Sequence, residues 1–184
     1  VHAQRNALLK SIAAGRGQPT ALDPWDAQFA QYGAELMSAR RKFLRQLRDV
    51  AAITHGRISE NREALSLSYD ADVQPAHEGE SDDDALASML FAQREDDIRR
   101  GLTQRGPQLD DIRIRLDGRD ARLYASQGQQ RSIALSLKLS ELALMKELTG
   151  EAPVLLLDDV LSELDAKRQA LLLEAVRSQQ TIIT

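Results

Sequence analysis

The sequence predicts an α/β fold with a mostly helical first part. Three observations carry this reading. The apolar run Val154-Leu155-Leu156-Leu157 ends in Asp158-Asp159, leads into a helical stretch near 166–178 and then into Thr181-Ile182-Ile183-Thr184, a strand–helix–strand unit of the parallel kind. Trp25, Phe29, Tyr32, Leu36, Ala39, Phe43, Leu47 and Val50 recur at steps of three and four, one apolar stripe along a long helix. Ile112–Leu116 and Ala121–Ala125 flank Asp117-Gly118, a two-residue turn signal that predicts a β-hairpin.

The remaining elements follow in order. Residues 1–14 have Ala7, Leu8, Ile12 and Ala13 in helical spacing, and Gly15–Pro19 breaks that helix. Asp23-Pro24 starts the long helix, because Asp caps and Pro fits a first turn. Leu65–Tyr69 alternates apolar and polar and is read as a short strand. Residues 70–84 are acidic with Pro and Gly, which predicts a mobile loop or boundary. Leu86, Met89, Leu90 and Ile98 return to helical spacing over 85–100, and 101–111 is turn-rich. A largely apolar helix is expected from Gln127 to Leu148, closed by Gly150 and Pro153, and 154–157 is expected to be fully buried.

Composition narrows the function classes. The absence of Cys from the 184 residues excludes a disulfide scaffold, a thiolate zinc site and a Cys nucleophile. No apolar run approaches the ~18–20 residues that span a bilayer, and no basic-then-apolar leader opens the chain; the expectation is a soluble cytoplasmic protein without membrane contact. The chain starts at Val1 without Met and stops at Thr184 inside a strand-like run, so it is expected to be a piece of something longer. The net charge of −4 hides a basic start, with eight basic and three acidic residues in 1–48, and an acidic middle, with five basic and thirteen acidic in 49–100. The histidines, His2, His55 and His77, lack metal-ligand spacing and are read as structural or surface residues.

Three motifs carry chemistry. Asp158 and Asp159 stand at the carboxyl end of an apolar strand, where α/β folds bind ligands; one carboxylate can hold the water shell of Mg²⁺ and the other can orient or deprotonate a water. Ser126-Gln127-Gly128-Gln129 opens a long helix with a hydroxyl, a small residue and free N–H groups, the parts of an anion site. Ser162-Glu163-Leu164-Asp165 caps the next helix. Read singly, each is also an ordinary turn or cap. Their order and spacing together resemble the ABC-type ATPases, which carry a signature loop, a helix, an apolar Walker B strand ending in acidic residues, and a D-loop. Asp159 stands where most of that class has Glu.

Within the class, SQGQQRSIALSLKLSE (126–141), DDVLSELD (158–165), LDPWDAQFAQYGAEL (22–36) and GLTQRGPQLDD (101–111) resemble the bacterial RecF family, which is similar to the heads of SMC and Rad50 proteins. The chain departs from that pattern at Gln108-Leu109, where His-Arg is expected. The resemblance implies the C-terminal part of an ABC/SMC-like P-loop ATPase head, with an inserted, mostly helical lobe over 1–100 and the ATPase part over 101–184. It further implies ATP and Mg²⁺ as cofactors, an ATP-dependent homodimer, DNA at single-strand gaps or duplex junctions, and recombination mediator proteins as partners. Ser126, Gln127, Gly128 and Gln129 would meet the nucleotide held by the opposite subunit, Asp158 the metal and Asp159 the attacking water, with Ser162 and Asp165 at the dimer interface. No Gly-x-x-x-x-Gly-Lys-Ser/Thr loop occurs in the 184 residues, so the chain alone is expected to be inactive. Arg40, Arg41, Lys42, Arg45 and Arg48 are a candidate phosphate-binding face or a solvated helix face, and the hairpin arginines 113, 115, 119 and 122 are a second candidate. The competing readings are another SMC- or Rad50-like head, against which stands the lack of long heptad runs, and a non-catalytic interaction module whose motifs are only turns and caps.

Overall fold

The computed structural model describes residues 1–158, 165–177 and 180–183. The chain forms two compact units that interleave in sequence: Val1–Lys42 with Tyr69–Asp111, and Phe43–Ser68 with Ile112–Thr184. Helix α2 (Asp23–Ser59) contributes its first part to one unit and its second part to the other.

The first unit is helical. Helix α1 (His2–Ala13) buries Leu9 and Ile12 against Leu22, which lies on a 3-10 turn formed by Pro19–Leu22. The early part of α2 packs Ala30 and Met37 with Val73, Ala85 and Leu86. Helix α3 (Asp82–Arg100) starts at Ser81, whose hydroxyl accepts the Asp84 N–H. Asp82, Asp83 and Asp84 crowd its first turn and Arg99 and Arg100 its last, the arrangement the helix dipole favours. The acidic stretch expected to be mobile is therefore partly helix. Its beginning is also held: Asp72 N–H donates to Asp110 Oδ1 (2.8 Å), Gly106 N–H donates to Asp72 Oδ2 (2.9 Å), and Val73 is buried. Carboxylates that find backbone N–H groups fix a loop that composition alone marks as solvated.

The second unit holds the two-stranded sheet and most of the three-stranded one. Strands β1 (Leu65–Asp70), β2 (Asp111–Leu116) and β3 (Arg119–Asp120) form one sheet in that order. β2 and β3 are antiparallel, and Asp117 and Gly118 between them both have positive φ (51° and 78°), as a type I′ turn requires. The expected second hairpin strand over 121–125 is not formed. After two strand residues the Asp120 carboxylate accepts the Arg122 N–H and caps a short helix, α4 (Ala121–Tyr124), so a side-chain cap overrides the alternating pattern.

Helix α5 (Gln127–Thr149) follows, ending at Gly150. Strand β4 (Leu155–Leu157) pairs in parallel with β5 (Thr181–Ile183) across helix α6 (Ala166–Ala175). The core of this unit joins Ile58, Leu135, Leu157, Leu172 and Val176. The expectation of a fully buried apolar run is corrected here. Leu157 is 8% exposed, but Val154, Leu156 and Ile182 are 57%, 69% and 51% exposed. One face of the β4–β5 pair packs on the helices, and in this chain the other face is open.

Candidate functional site

The site is built at the start of α5. Ser126 has extended backbone (φ −63°, ψ 161°) and is the N-cap. Its hydroxyl accepts the Gln129 N–H (3.3 Å), and Gln129 Oε1 accepts the Ser126 N–H (2.8 Å), a reciprocal capping box. The first intrahelical bond runs from Gln130 N–H to Ser126 C=O, so the N–H groups of Gln127 and Gly128 have no acceptor inside the helix. Ser126, Gln127 and Gly128 are exposed. A Cβ at Gly128 would meet nothing within 4 Å, and its φ is not positive. Neither backbone conformation nor packing within the chain demands glycine there. The bare backbone leaves room for a group approaching from outside.

This turn is anchored behind by two polar chains. Gln129 Nε2 donates to Glu63 Oε1 (3.0 Å), Glu63 Oε2 faces His55 Nε2 (3.2 Å), and His55 Nδ1 meets Ser136 Oγ (2.9 Å). His55 is fully buried. Ser132, Ser136 and Ser140, a buried stripe along α5, donate back to the carbonyls of Gly128, Ser132 and Ser136, which satisfies hydroxyls taken out of water. On the other side, Arg168 of α6 donates through Nε and Nη2 to Ser132 Oγ (3.0 and 2.6 Å) and through Nη2 to Gly128 C=O (3.2 Å), and pairs through Nη1 with Asp165. Asp165, half of whose side chain is exposed, caps α6 by accepting the Arg168 N–H (2.9 Å). Arg168 thus ties Asp165 to the first turn of α5.

Asp158 is exposed immediately after β4. Asp159 and Ser162 lie outside the described residues. Among the described residues no group of three or more His, Asp or Glu could hold a metal by itself. A single carboxylate still suits Mg²⁺, which takes one or two carboxylates and completes its shell with water and phosphate oxygens.

The basic cluster on α2 divides in two. Arg40 donates to the Pro107 carbonyl (2.6 Å) and approaches Asp110 (3.5 Å). Arg41 is bidentate to Asp82 and lies 5.4 Å from the centre of the Tyr69 ring; the Asp82 hydrogen bond holds its guanidinium above the ordinary value. Lys42, Arg45 and Arg48 are exposed, Arg48 beside Asp49 (3.2 Å). The His55–Glu63 anchor was not legible as a functional feature, because neither residue stands in a motif and His55 is 81 residues from the serine it meets.

A capped, open helix start, a long helix and a parallel β–α–β unit with a carboxylate at the end of its first strand make up the signature and Walker B portion of an ABC-type ATPase fold. No family model matches the chain. It is 44% identical over 185 residues to the DNA replication and repair protein RecF of Lacticaseibacillus casei, covering 98% of this chain and 50% of that protein, and 44% identical over 181 residues to RecF of Agathobacter rectalis, covering 98% and 48%. The solved structure of the recombination mediator protein RecF with ATP, from the RecFOR pathway, superposes with a TM-score of 0.85 at 35% identity, covering 100% of this chain and 49% of that one. A second RecF structure of the same pathway gives 0.86 at 37% identity, covering 100% and 50%. The chain has the sequence and fold of the RecF family over the part that it spans, about half the length of the curated relatives it matches.

Proposed function

We propose that the chain is the signature and Walker B portion of a RecF-type protein that binds ATP, dimerises around it, and acts on DNA in repair and replication with mediator proteins. The observation that carries this is the exposed Ser126–Gly128 turn: a hydroxyl, two N–H groups without intrahelical acceptors and a glycine with open space beside it, anchored from behind and turned outward. Such a turn suits a phosphate oxygen brought by another molecule. Bound ATP would supply that phosphate from the opposite subunit, so that the dimer reports the presence of nucleotide. Ser126 and the N–H groups of Gln127 and Gly128 are the contacts proposed; Gln129 shapes the turn; Asp158 serves Mg²⁺, with Asp159 placed by its sequence position at the attacking water and Ser162 and Asp165 at the interface. The open face of the β4–β5 pair is suited to the remaining half of a RecF-length protein, which would carry the nucleotide-holding loop that the 184 residues lack. Lys42, Arg45 and Arg48 are the proposed DNA contacts of the helix.

The test is Ser126→Arg in the full-length protein. It should abolish ATP-driven dimerisation, measured by light scattering or sedimentation, because the larger cation fills the space beside Gly128. Dimerisation at the parent's ATP dependence would reject the reading and favour an interaction module.

A further inference from the structure

We propose that Glu63, backed by His55, is a positioning residue for the signature turn; this rests on the function proposed above. The turn's geometry depends on the Gln129 side chain, which is committed at both ends. Its Oε1 takes the Ser126 N–H and its Nε2 is held by Glu63. Glu63 in turn is placed by an unusual stretch of backbone. Glu60 and Asn61, neither a glycine, both have positive φ (58° and 56°), and they turn the chain back over the end of α2. Asn61 N–H donates to Gly56 C=O (2.7 Å), and the Asn61 side chain packs its Oδ1 into the space where a Cβ at position 56 would stand. Arg62 Nε bonds the Ser59 carbonyl (3.0 Å) and tightens the turn further. Strain held in place by such contacts is a mark of a position that serves a site.

The hydrogen-bond assignment along the chain of partners is determined. The Ser136 hydroxyl spends its proton on the Ser132 carbonyl (2.6 Å), so His55 Nδ1 is the donor toward Ser136. That leaves His55 Nε2 facing a carboxylate oxygen, and one proton lies between them. Glu63 therefore has both oxygens occupied, one by His55 and one by Gln129, and its carboxylate cannot turn away without leaving buried His55 without its Nε2 partner. The anchor fixes Gln129, and Gln129 fixes the direction in which the Ser126 hydroxyl and the N–H groups behind it point.

The experiment measures ATP-dependent dimerisation and subunit ATP binding in the full-length protein. Glu63→Ala should weaken the ATP-bound dimer about tenfold while each subunit binds ATP as the parent does. Glu63→Gln should restore the dimer to within about threefold of the parent, because Gln can donate to a neutral His55 Nε2 and accept from Gln129, keeping every bond without charge. A dimer of parent affinity in folded Glu63→Ala, or a Glu63→Gln dimer as weak as that of Glu63→Ala, overturns the proposal. If Glu63→Ala does not fold, Glu63→Asp takes its place; its carboxylate is one methylene short of spanning Gln129 and His55, and parent-like dimerisation by it likewise overturns the proposal. Ser126→Arg run alongside separates the two readings. If it blocks dimerisation while the Glu63 variants do not, only the positioning role fails; if it too is without effect, the function proposed above fails.

Discussion

The two units use the same polar chemistry to opposite ends. In the first, Arg5 is fully buried and donates to Asp26 (2.7 Å), Asp97 (2.8 Å) and Thr103 (2.6 Å), while Arg94 pairs with Asp23 and Asp26 (2.6 Å each). Burial lowers the Arg94 pKa, but the bonds to Asp23 and Asp26 outweigh it and raise the value overall. The network joins α1, α2 and α3, and what it does is hold helices together. In the second unit the chain His55–Glu63–Gln129 leads outward and ends on an exposed turn. The first network runs from buried Arg5 to a half-exposed Asp23 and spends its groups between helices; the second ends on a turn whose leading N–H groups have no acceptor inside the helix and can orient a site.

The largest expected effect tests the network between the helices. Arg5→Met strips a partner from Asp97, whose side chain is 1% exposed, and should cost about 3–5 kcal/mol in urea unfolding of the first unit. Arg5→Lys should recover little of it, since one ammonium cannot replace a fork reaching three partners. A loss below about 1 kcal/mol would show that the network is not what holds these helices.

Next comes the open face of the β4–β5 pair. Leu156→Asp should change the stability of the 184-residue chain by less than about 0.5 kcal/mol, because the side chain already faces water. In a full-length protein the same change should cost about 2 kcal/mol or more, since an apolar contact is replaced by a buried charge. Equal costs in the two would mean that nothing covers this face.

The basic residues of α2 sharpen the contrast within one helix. Arg45→Glu with Arg48→Glu in the full-length protein should lower DNA affinity and reduce the slope of log affinity against log salt by roughly two. Arg41→Glu should act instead on folding, since that guanidinium is already committed to Asp82 and Tyr69. An unchanged salt slope after reversal at 45 and 48 removes this helix from the DNA footprint.

The smallest effect is on alkaline stability. Burial raises the Tyr69 phenol above its ordinary value of 10.0, and its hydrogen bond to the Asp110 carboxylate raises it further. The folded state therefore keeps the proton longer than the unfolded chain does. This contribution is fully present below the unfolded value and is lost as pH rises through the raised folded one. Urea midpoints at about pH 9 and about pH 11 should fall less in Tyr69→Phe than in the parent; an equal fall would place the titration elsewhere.

What the sequence by itself determined is whatever depends on neighbours along the chain. That α2 is a helix follows from its apolar spacing, though the structure buries Ala30, Met37 and Leu44 and leaves Tyr32, Leu36 and Phe43 of the expected stripe exposed. The 117–118 turn follows from Asp-Gly, the cap at Ser126 from its place before a helix, and the parallel β–α–β unit from apolar runs on either side of α6. The family resemblance was legible too, because its motifs are short and their order is rigid. Tertiary structure alone decided what depends on residues far apart. Whether Arg41 or Arg45 spends its charge internally turns on Asp82, 41 residues from Arg41. The hydrogen bond of Glu63 turns on a glutamine 66 residues away. The exposed Leu156 departs from its local pattern for the same reason, whereas the short helix at Ala121 is set by its own neighbour, the Asp120 cap. Periodicity records which face of an element is apolar, whereas a distant partner or a covering layer comes from wherever the fold brings it.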